Sequence, residues 1–216
     1  MVVCLLRVEK LLAILDTNLR TRKSPVPSLT VTSFKKGPKI WNLKPVKKFF
    51  FEKSLKWVPR NDVAVFIPCS AWKPYPYSQS HKYGYLKALR PALEKIDLFV
   101  VSEPMGIVPY CYSDEYPVDS YEYDPYDFFI GKLRNPLVRR SLEVFIDRLA
   151  MWIKKYHNKY EKRILILPKS WHLKVFKKAL RKLATPQDQY IVIAITGRAS
   201  NSVEEMQKQL QNVGLY

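Results

Sequence analysis

Residues 62–70 read DVAVFIPCS, and residues 97–104 read DLFVVSEP. Each is a short unbroken apolar run, rich in β-branched side chains, and ends on polar residues beside a proline. A strand with one wet face alternates apolar and polar residues; these two do not. Both faces are therefore expected to be buried, as in a parallel sheet covered on both sides. RILILPKS (163–170) and YIVIAITG (190–197) have the same character. Helical periods lie between and after these runs. HKYGYLKALRPALEKI covers 81–96, and a long amphipathic helix starts with Asn135 as N-cap and Pro136 at its first position. A basic helix is capped by Ser170, and a last one opens at Ser202 with Glu205 three residues on, a capping box. The order β-α-β-α-β-α-β-α predicts an α/β fold. It takes the form of a three-layer α/β/α sandwich on a four-stranded parallel sheet with right-handed crossovers.

Working outward, residues 1–60 form a basic N-terminal extension and 61–216 the α/β core. The extension is expected to hold a helix near 3–19, a turn-rich break, a short edge strand at 29–34 and a second helical region. Trp41, Phe49, Phe50, Phe51 and Trp57 are interleaved with lysines there. Such rings either stack on bases or cover the core, and for the Phe49–Phe51 run the core is the expected place. The segment 104–130 is rich in Tyr, Pro and Asp and is expected to be a long loop. A structureless stretch of that length inside a domain is often a binding loop.

The chain has 37 Lys and Arg against 19 Asp and Glu, a net charge of +18. Thermophile surfaces balance Lys with Glu, whereas this excess favours a polyanionic partner such as RNA. The charge is uneven: from Ile96 to Gly131 there is no Lys or Arg but there are eight carboxylates, Glu103, Asp114 and Glu115 among them. That segment is suited either to holding a cation or to folding back on basic neighbours. No apolar run is long enough to span a membrane. Three cysteines without paired spacing imply neither a disulfide framework nor a zinc site, so a reducing cytoplasm is expected. No cofactor and no metal are expected.

Ligands of such sheets bind beyond the carboxyl ends of the strands. Polar groups gather there: Cys69 and Ser70, Ser102 and Glu103, Lys169 and Ser170, Thr196 and Arg198. The densest cluster is PCSAWKPYPYSQSH, residues 68–81. A thiol, an ammonium, phenols, serines and an imidazole share one connection stiffened by three prolines, as in a preorganised site.

Pro68-Cys69, Lys73-Pro74-Tyr75, Ser78 and His81 stand at a spacing that resembles the signature of archaeosine synthases. SEPMGIVPY (102–110) is similar to a second stretch of that family, with Tyr116-Pro117 after it. The resemblance covers about residues 62–200. It implies a core similar to uracil-DNA glycosylases and an attack on the nitrile of 7-cyano-7-deazaguanine in the D-loop of tRNA. Free lysine would be the amine donor, and a radical-SAM partner would complete the product. This chain has no Cys-x₃-Cys-x₂-Cys motif for that second step, is expected to be a stand-alone or split core without the family's further domains, and departs from its pattern at Tyr110 and Cys111.

A thiolate is the best protein nucleophile near neutral pH. Cys69 is thus expected to add to the nitrile, with its pKa lowered by Lys73 or His81, and His81 to shuttle the proton. The alternative role of Lys73 is to hold phosphate. Tyr75 or Tyr77 would stack on the base, and Glu103 with the acidic loop would bind the lysine ammonium. Ser78, Ser102, Gly106 and Arg198 complete the expected substrate contacts. His172, at the start of its helix, either faces the crevice or lies on the surface. The rival readings are a base-excising glycosylase and a non-catalytic tRNA-binding subunit.

Overall fold

β1 (Val63–Pro68) lies at the centre of a five-stranded sheet of order β3-β2-β1-β4-β5. The computed structural model describes residues 2–17, 40–121, 134–168, 171–195 and 197–216, with side chains from residue 9 onward. β2 (Asp97–Ser102) pairs parallel to β1, from Ala64↔Asp97 to Pro68↔Val101. β4 (Lys162–Leu165) pairs parallel to the other edge of β1, and β5 (Ile191–Val192) parallel to β4.

The expected four-stranded, all-parallel sheet is corrected in one place. β3 (Gly106–Pro109) folds back antiparallel on β2, inside the segment expected to be loop. Four residues between two prolines carry no readable period. The reversal relies on Gly106, whose φ of +87° is open to glycine and costly for other residues. A Cβ there would also come within 3.2 Å of the Phe50 ring.

Helices cover the sheet. α1 (Val2–Asp16) precedes α2 (Lys44–Lys48), which continues as a π-helical stretch, Phe49–Ser54. A π-helical turn, His81–Tyr85, runs into α3 (Leu86–Leu89). α4 (Pro136–Tyr156), α5 (Trp171–Lys182) and α6 (Val203–Asn212) follow the later strands and loops. The Asn135 side chain accepts the Leu137 N–H at 2.9 Å, the expected N-cap. The α4 and α5 side of the sheet is aromatic: Phe66 stacks on Phe99 at 5.3 Å and meets Trp152 of α4 and Phe176 of α5. Rings of this size bury large areas, and their tilted contacts add about 0.5–1.5 kcal/mol a pair.

The described part of residues 1–60 joins the same core: Leu11, Ile40, Trp41, Val46 and Phe49 belong to it. Phe50 is fully buried, whereas Phe51 is exposed. The expected strand at 29–34 lies outside the described residues. Arg148 of α4 is buried beneath this layer, its guanidinium donating to the carbonyls of Pro104 (2.8 Å) and Trp41 (2.6 Å). Burial lowers its pKa to about 10. The expectation of no disulfide is also corrected: Cys111 is disulfide-bonded, while Cys69 is a free thiol. The inference of a reducing compartment loses that support. Among the described residues no helix is long and apolar enough to cross a membrane.

Candidate functional site

Cys69 follows the last residue of β1, and its N–H donates to the Val101 carbonyl of β2 at 3.0 Å. This extends the β1–β2 ladder by one step and fixes the thiol at the carboxyl end of the sheet, half-buried. Glu103 follows β2 and is 1% exposed. His172 is the second residue of α5, the helix after β4, and is 8% exposed. The three side chains meet. Sγ of Cys69 lies 3.5 Å from Nε2 of His172 and 3.8 Å from Oε2 of Glu103, and that Nε2 lies 3.1 Å from the same Oε2. The other carboxylate oxygen, Oε1, accepts the Trp171 indole N–H at 2.8 Å.

The electrostatics of the cluster are set by its composition. Burial pushes the His172 imidazole down, but the Glu103 carboxylate and the Cys69 thiol, with hydrogen bonds to both, hold it well above the ordinary histidine value. A buried carboxylate needs such a partner, because an isolated charge in an apolar interior is strongly disfavoured.

His81 does not join the cluster. Its Nδ1 lies 3.0 Å from the Tyr110 hydroxyl and its Nε2 3.0 Å from the Pro68 carbonyl oxygen. The ring stacks on Tyr75 and Tyr110. Burial, aided by the charge of Lys73 and opposed by the Pro68 carbonyl, lowers its pKa to about 3, so the ring is neutral. It ties the end of β1 to β3's exit and does not reach the thiol. The imidazole facing Cys69 belongs to His172.

The other expected residues fall into two groups. Lys73, Tyr75 and Ser102 form a buried polar layer with Tyr121. The Lys73 ammonium donates to the Ser70 carbonyl at 2.6 Å and sits 4.1 Å over the Tyr121 ring. Tyr75 and Tyr121 hydroxyls both bond to the Ser102 hydroxyl and to each other. Burial holds the Tyr75 and Tyr121 phenols well above their usual pKa, and the nearby Cys69 raises both as well. The second group is structural in its contacts. Ser78 accepts the His81 N–H at 3.3 Å, Gly106 makes the β2–β3 turn, and Arg198 is exposed before the short helical turn Ala199–Asn201. The peptide bonds Lys73-Pro74, Glu103-Pro104 and Tyr116-Pro117 are cis.

The acidic segment folds back on basic neighbours where it is described: Asp114 pairs with Lys10 and Glu115 with Lys53. Glu103 has both oxygens engaged by side chains of the cluster. Residues 122–130 of the expected loop, with Lys169, Ser170 and Thr196 of the sheet edge, lie outside the described residues. Trp171 and Tyr121 were not singled out by sequence. Each is one aromatic among many, and the direction of an indole or phenol leaves no trace in spacing.

Residues 46–126 match the family described as a domain of unknown function, DUF5591. This segment contains Cys69, His81 and Glu103 but stops short of His172. The chain is 35% identical over 68 residues to the archaeosine synthase of Methanocaldococcus jannaschii, which covers 32% of this chain and 12% of that protein. It is 30% identical over 112 residues to the archaeosine synthase subunit alpha of Thermoplasma acidophilum, covering 51% and 19%. To the corresponding subunit of Methanosarcina acetivorans it is 36% identical over 64 residues, covering 30% and 10%. The chain thus spans less than a fifth of the length of these relatives, to which its DUF5591-containing sequence is similar. Among solved structures, the crystal structure of AF0587, a protein of unknown function, aligns with a TM-score of 0.49 at 16% identity, over 77% of this chain and 50% of that one.

Proposed function

We propose that this chain is a tRNA-modifying enzyme of archaeosine biosynthesis, adding an amine, by preference free lysine, to the nitrile of 7-cyano-7-deazaguanine in the D-loop of tRNA. The observation that carries the reading is the meeting of Cys69, Glu103 and His172 at the carboxyl end of the sheet, where α/β folds bind ligands. The sequence similarity to archaeosine synthases supplies the substrate class.

The chemistry is an addition. The lysine ε-nitrogen attacks the nitrile carbon, a C–N bond forms and one π bond of the nitrile breaks. The electron pair goes to the former nitrile nitrogen, which takes a proton shed by the attacking amine. Nothing leaves, and the product is an amidine. Two things limit its rate: the weak electrophilicity of a nitrile and the removal of a proton from the amine. The cluster addresses the first, and the neutral phenols of Tyr75 and Tyr121 form an orienting layer behind it. Cleavage of the lysine adduct would fall to a radical-SAM partner.

Substrate grip is assigned to basic side chains. Lys174, Lys178 and Arg181 stand exposed on α5, the helix whose second residue is His172. A phosphate backbone held along α5 would lead to the cluster at its N-terminal end. Cytoplasmic tRNA is the proposed partner and setting.

The test is to incubate nitrile-bearing tRNA with labelled lysine and this chain alone. Label in the tRNA supports the synthase reading. Release of the free base would instead indicate a glycosylase, and binding without change a tRNA-presenting subunit.

A further inference from the structure

We propose that Cys69, Glu103 and His172 form a binding site for one divalent transition-metal ion, zinc by preference, with its fourth position open towards the substrate.

The geometry distinguishes this from a nucleophile with its base. In a nucleophile–base–carboxylate relay the histidine works with its two ring nitrogens on opposite sides, one for the nucleophile and one for the carboxylate. Here one nitrogen, Nε2, faces both the thiol and the carboxylate, at 3.5 and 3.1 Å. The third side of the triangle, Sγ to Oε2, is 3.8 Å. Three donor atoms from three side chains converge on one point. A tetrahedral zinc ion, with Zn–S about 2.3 Å, Zn–N about 2.0–2.1 Å and Zn–O about 2.0–2.2 Å, holds its ligand atoms roughly 3.3–3.7 Å apart. The observed triangle brackets that range.

The donor set agrees. Thiolate, imidazole and carboxylate together suit zinc and similar borderline ions, whereas calcium and magnesium prefer oxygen alone. Three protein ligands with a fourth position open are typical of catalytic rather than structural zinc sites. The outer contacts agree as well. Trp171 donates to Oε1 at 2.8 Å, leaving Oε2 to the ion, which is how supporting groups orient a ligating carboxylate. Glu103 is held from behind by Arg148, which grips the adjacent Pro104 carbonyl at 2.8 Å. The ligands come from the ends of β1 and β2 and the start of α5, so no ligand spacing shows in the sequence.

The role of the ion rests on the proposed amidine-forming reaction. A Lewis acid at the open position takes the lone pair of the nitrile nitrogen and draws electron density from its carbon. The amine then adds directly. Cys69 serves as a ligand, and no bond between sulfur and substrate is formed or broken.

The experiment uses the full chain, stripped with a chelator and titrated with Co²⁺ as a spectroscopic stand-in for Zn²⁺. The expected result is about one ion per chain, a near-ultraviolet thiolate-to-cobalt charge-transfer band and visible bands of a four-coordinate ion, all abolished by added Zn²⁺. Cys69→Ser should lose the charge-transfer band, and Trp171→Phe, which leaves the ligands in place, should weaken binding by roughly 10–100-fold. His157→Gln should change nothing. Absence of the band in wild type, or its survival in Cys69→Ser, would overturn the site. Metal-free protein that labels tRNA at the full rate would overturn its catalytic role while leaving the amidine reaction standing. Stoichiometric Zn²⁺ binding with no labelling would uphold the site and reject that reaction.

Discussion

Nε2 of His172 lies 3.5 Å from Sγ of Cys69, although 103 positions separate the two residues in the chain. The sheet makes this contact. β4 pairs with β1, so the connection after β4 delivers the start of α5 to the same edge at which β1 releases Cys69. β2, on the other side of β1, delivers Glu103. Three adjacent parallel strands thus place three side chains at one point, and the chemistry assigned to the chain depends on that convergence.

Cys69→Ser is expected to lower amine incorporation into nitrile-bearing tRNA by at least about 100-fold, the scale of losing a principal catalytic group. The fold should survive, because the backbone bond from Cys69 to Val101 is untouched. Rates measured with labelled lysine, beside circular dichroism, check this. A variant retaining the wild-type rate would remove Cys69 from the reaction.

His81 is expected to contribute to the loss of stability in acid. Its folded pKa is depressed to about 3 from 6.5, so the neutral ring contributes stability above about pH 6.5 that is lost as pH falls towards 3. The groups around it are Tyr75, Tyr85, Tyr110 and Lys73, and Lys73 pushes in the same direction as burial. Between pH 7 and pH 5 this one group should account for about 2 kcal/mol of lost stability. Urea unfolding of His81→Gln should show a lower stability at pH 7 and a flatter fall to pH 5. An unchanged slope would contradict the assignment.

Arg148→Met should destabilise the protein by about 2–4 kcal/mol, since it leaves the Pro104 and Trp41 carbonyls without their buried donor. Lysine is a poor substitute because it lacks the planar fork that reaches both oxygens. Denaturant midpoints measure the loss. A Met variant as stable as wild type would show that the clamp contributes nothing.

Much of this architecture is legible in the amino-acid order, for identifiable reasons. DVAVFIP and DLFVVS are apolar throughout because β1 and β2 are interior strands, and their ends name Cys69 and Glu103. Asn135-Pro136 marks the start of α4 through ordinary capping chemistry. β3 was hidden because Gly-Ile-Val-Pro is too short to show a period. YIVIAITG suggests a longer strand than the two paired residues of β5, since the run continues apolar after the ladder with the short β4 ends. The imidazole at the thiol was the hardest part to read. His81 is near Cys69 in sequence, yet its helical turn directs the ring to Tyr110 and Pro68. His172 is distant in sequence and arrives through the pairing of β4 with β1. Local spacing carries no information about which ring turns towards the thiol.

Gly106→Ala tests the turn that shapes Glu103's surroundings. A side chain at φ +87° is strained, and its Cβ would press on Phe50 at 3.2 Å. A loss of about 1–3 kcal/mol is expected, read from thermal or denaturant unfolding. Wild-type stability would mean that the β2–β3 reversal tolerates a different backbone path.

The tRNA surface proposed along α5 predicts a salt effect. Replacing Lys174, Lys178 and Arg181 together by Ala should weaken tRNA binding for all sequences alike. It should also reduce the slope of log affinity against log salt by roughly 2–3. Filter binding over a salt series measures it. An unchanged slope would move the phosphate contacts elsewhere on the basic surface.

The most direct measurement is the mass of the modified nucleoside after nitrile-bearing tRNA has been incubated with this chain and free lysine. Addition to a nitrile expels nothing, so the account predicts a gain equal to one whole lysine molecule in the presence of wild-type protein, and none with Cys69→Ser. A nucleoside of unchanged mass from tRNA that the protein demonstrably binds, or a missing base, would contradict it.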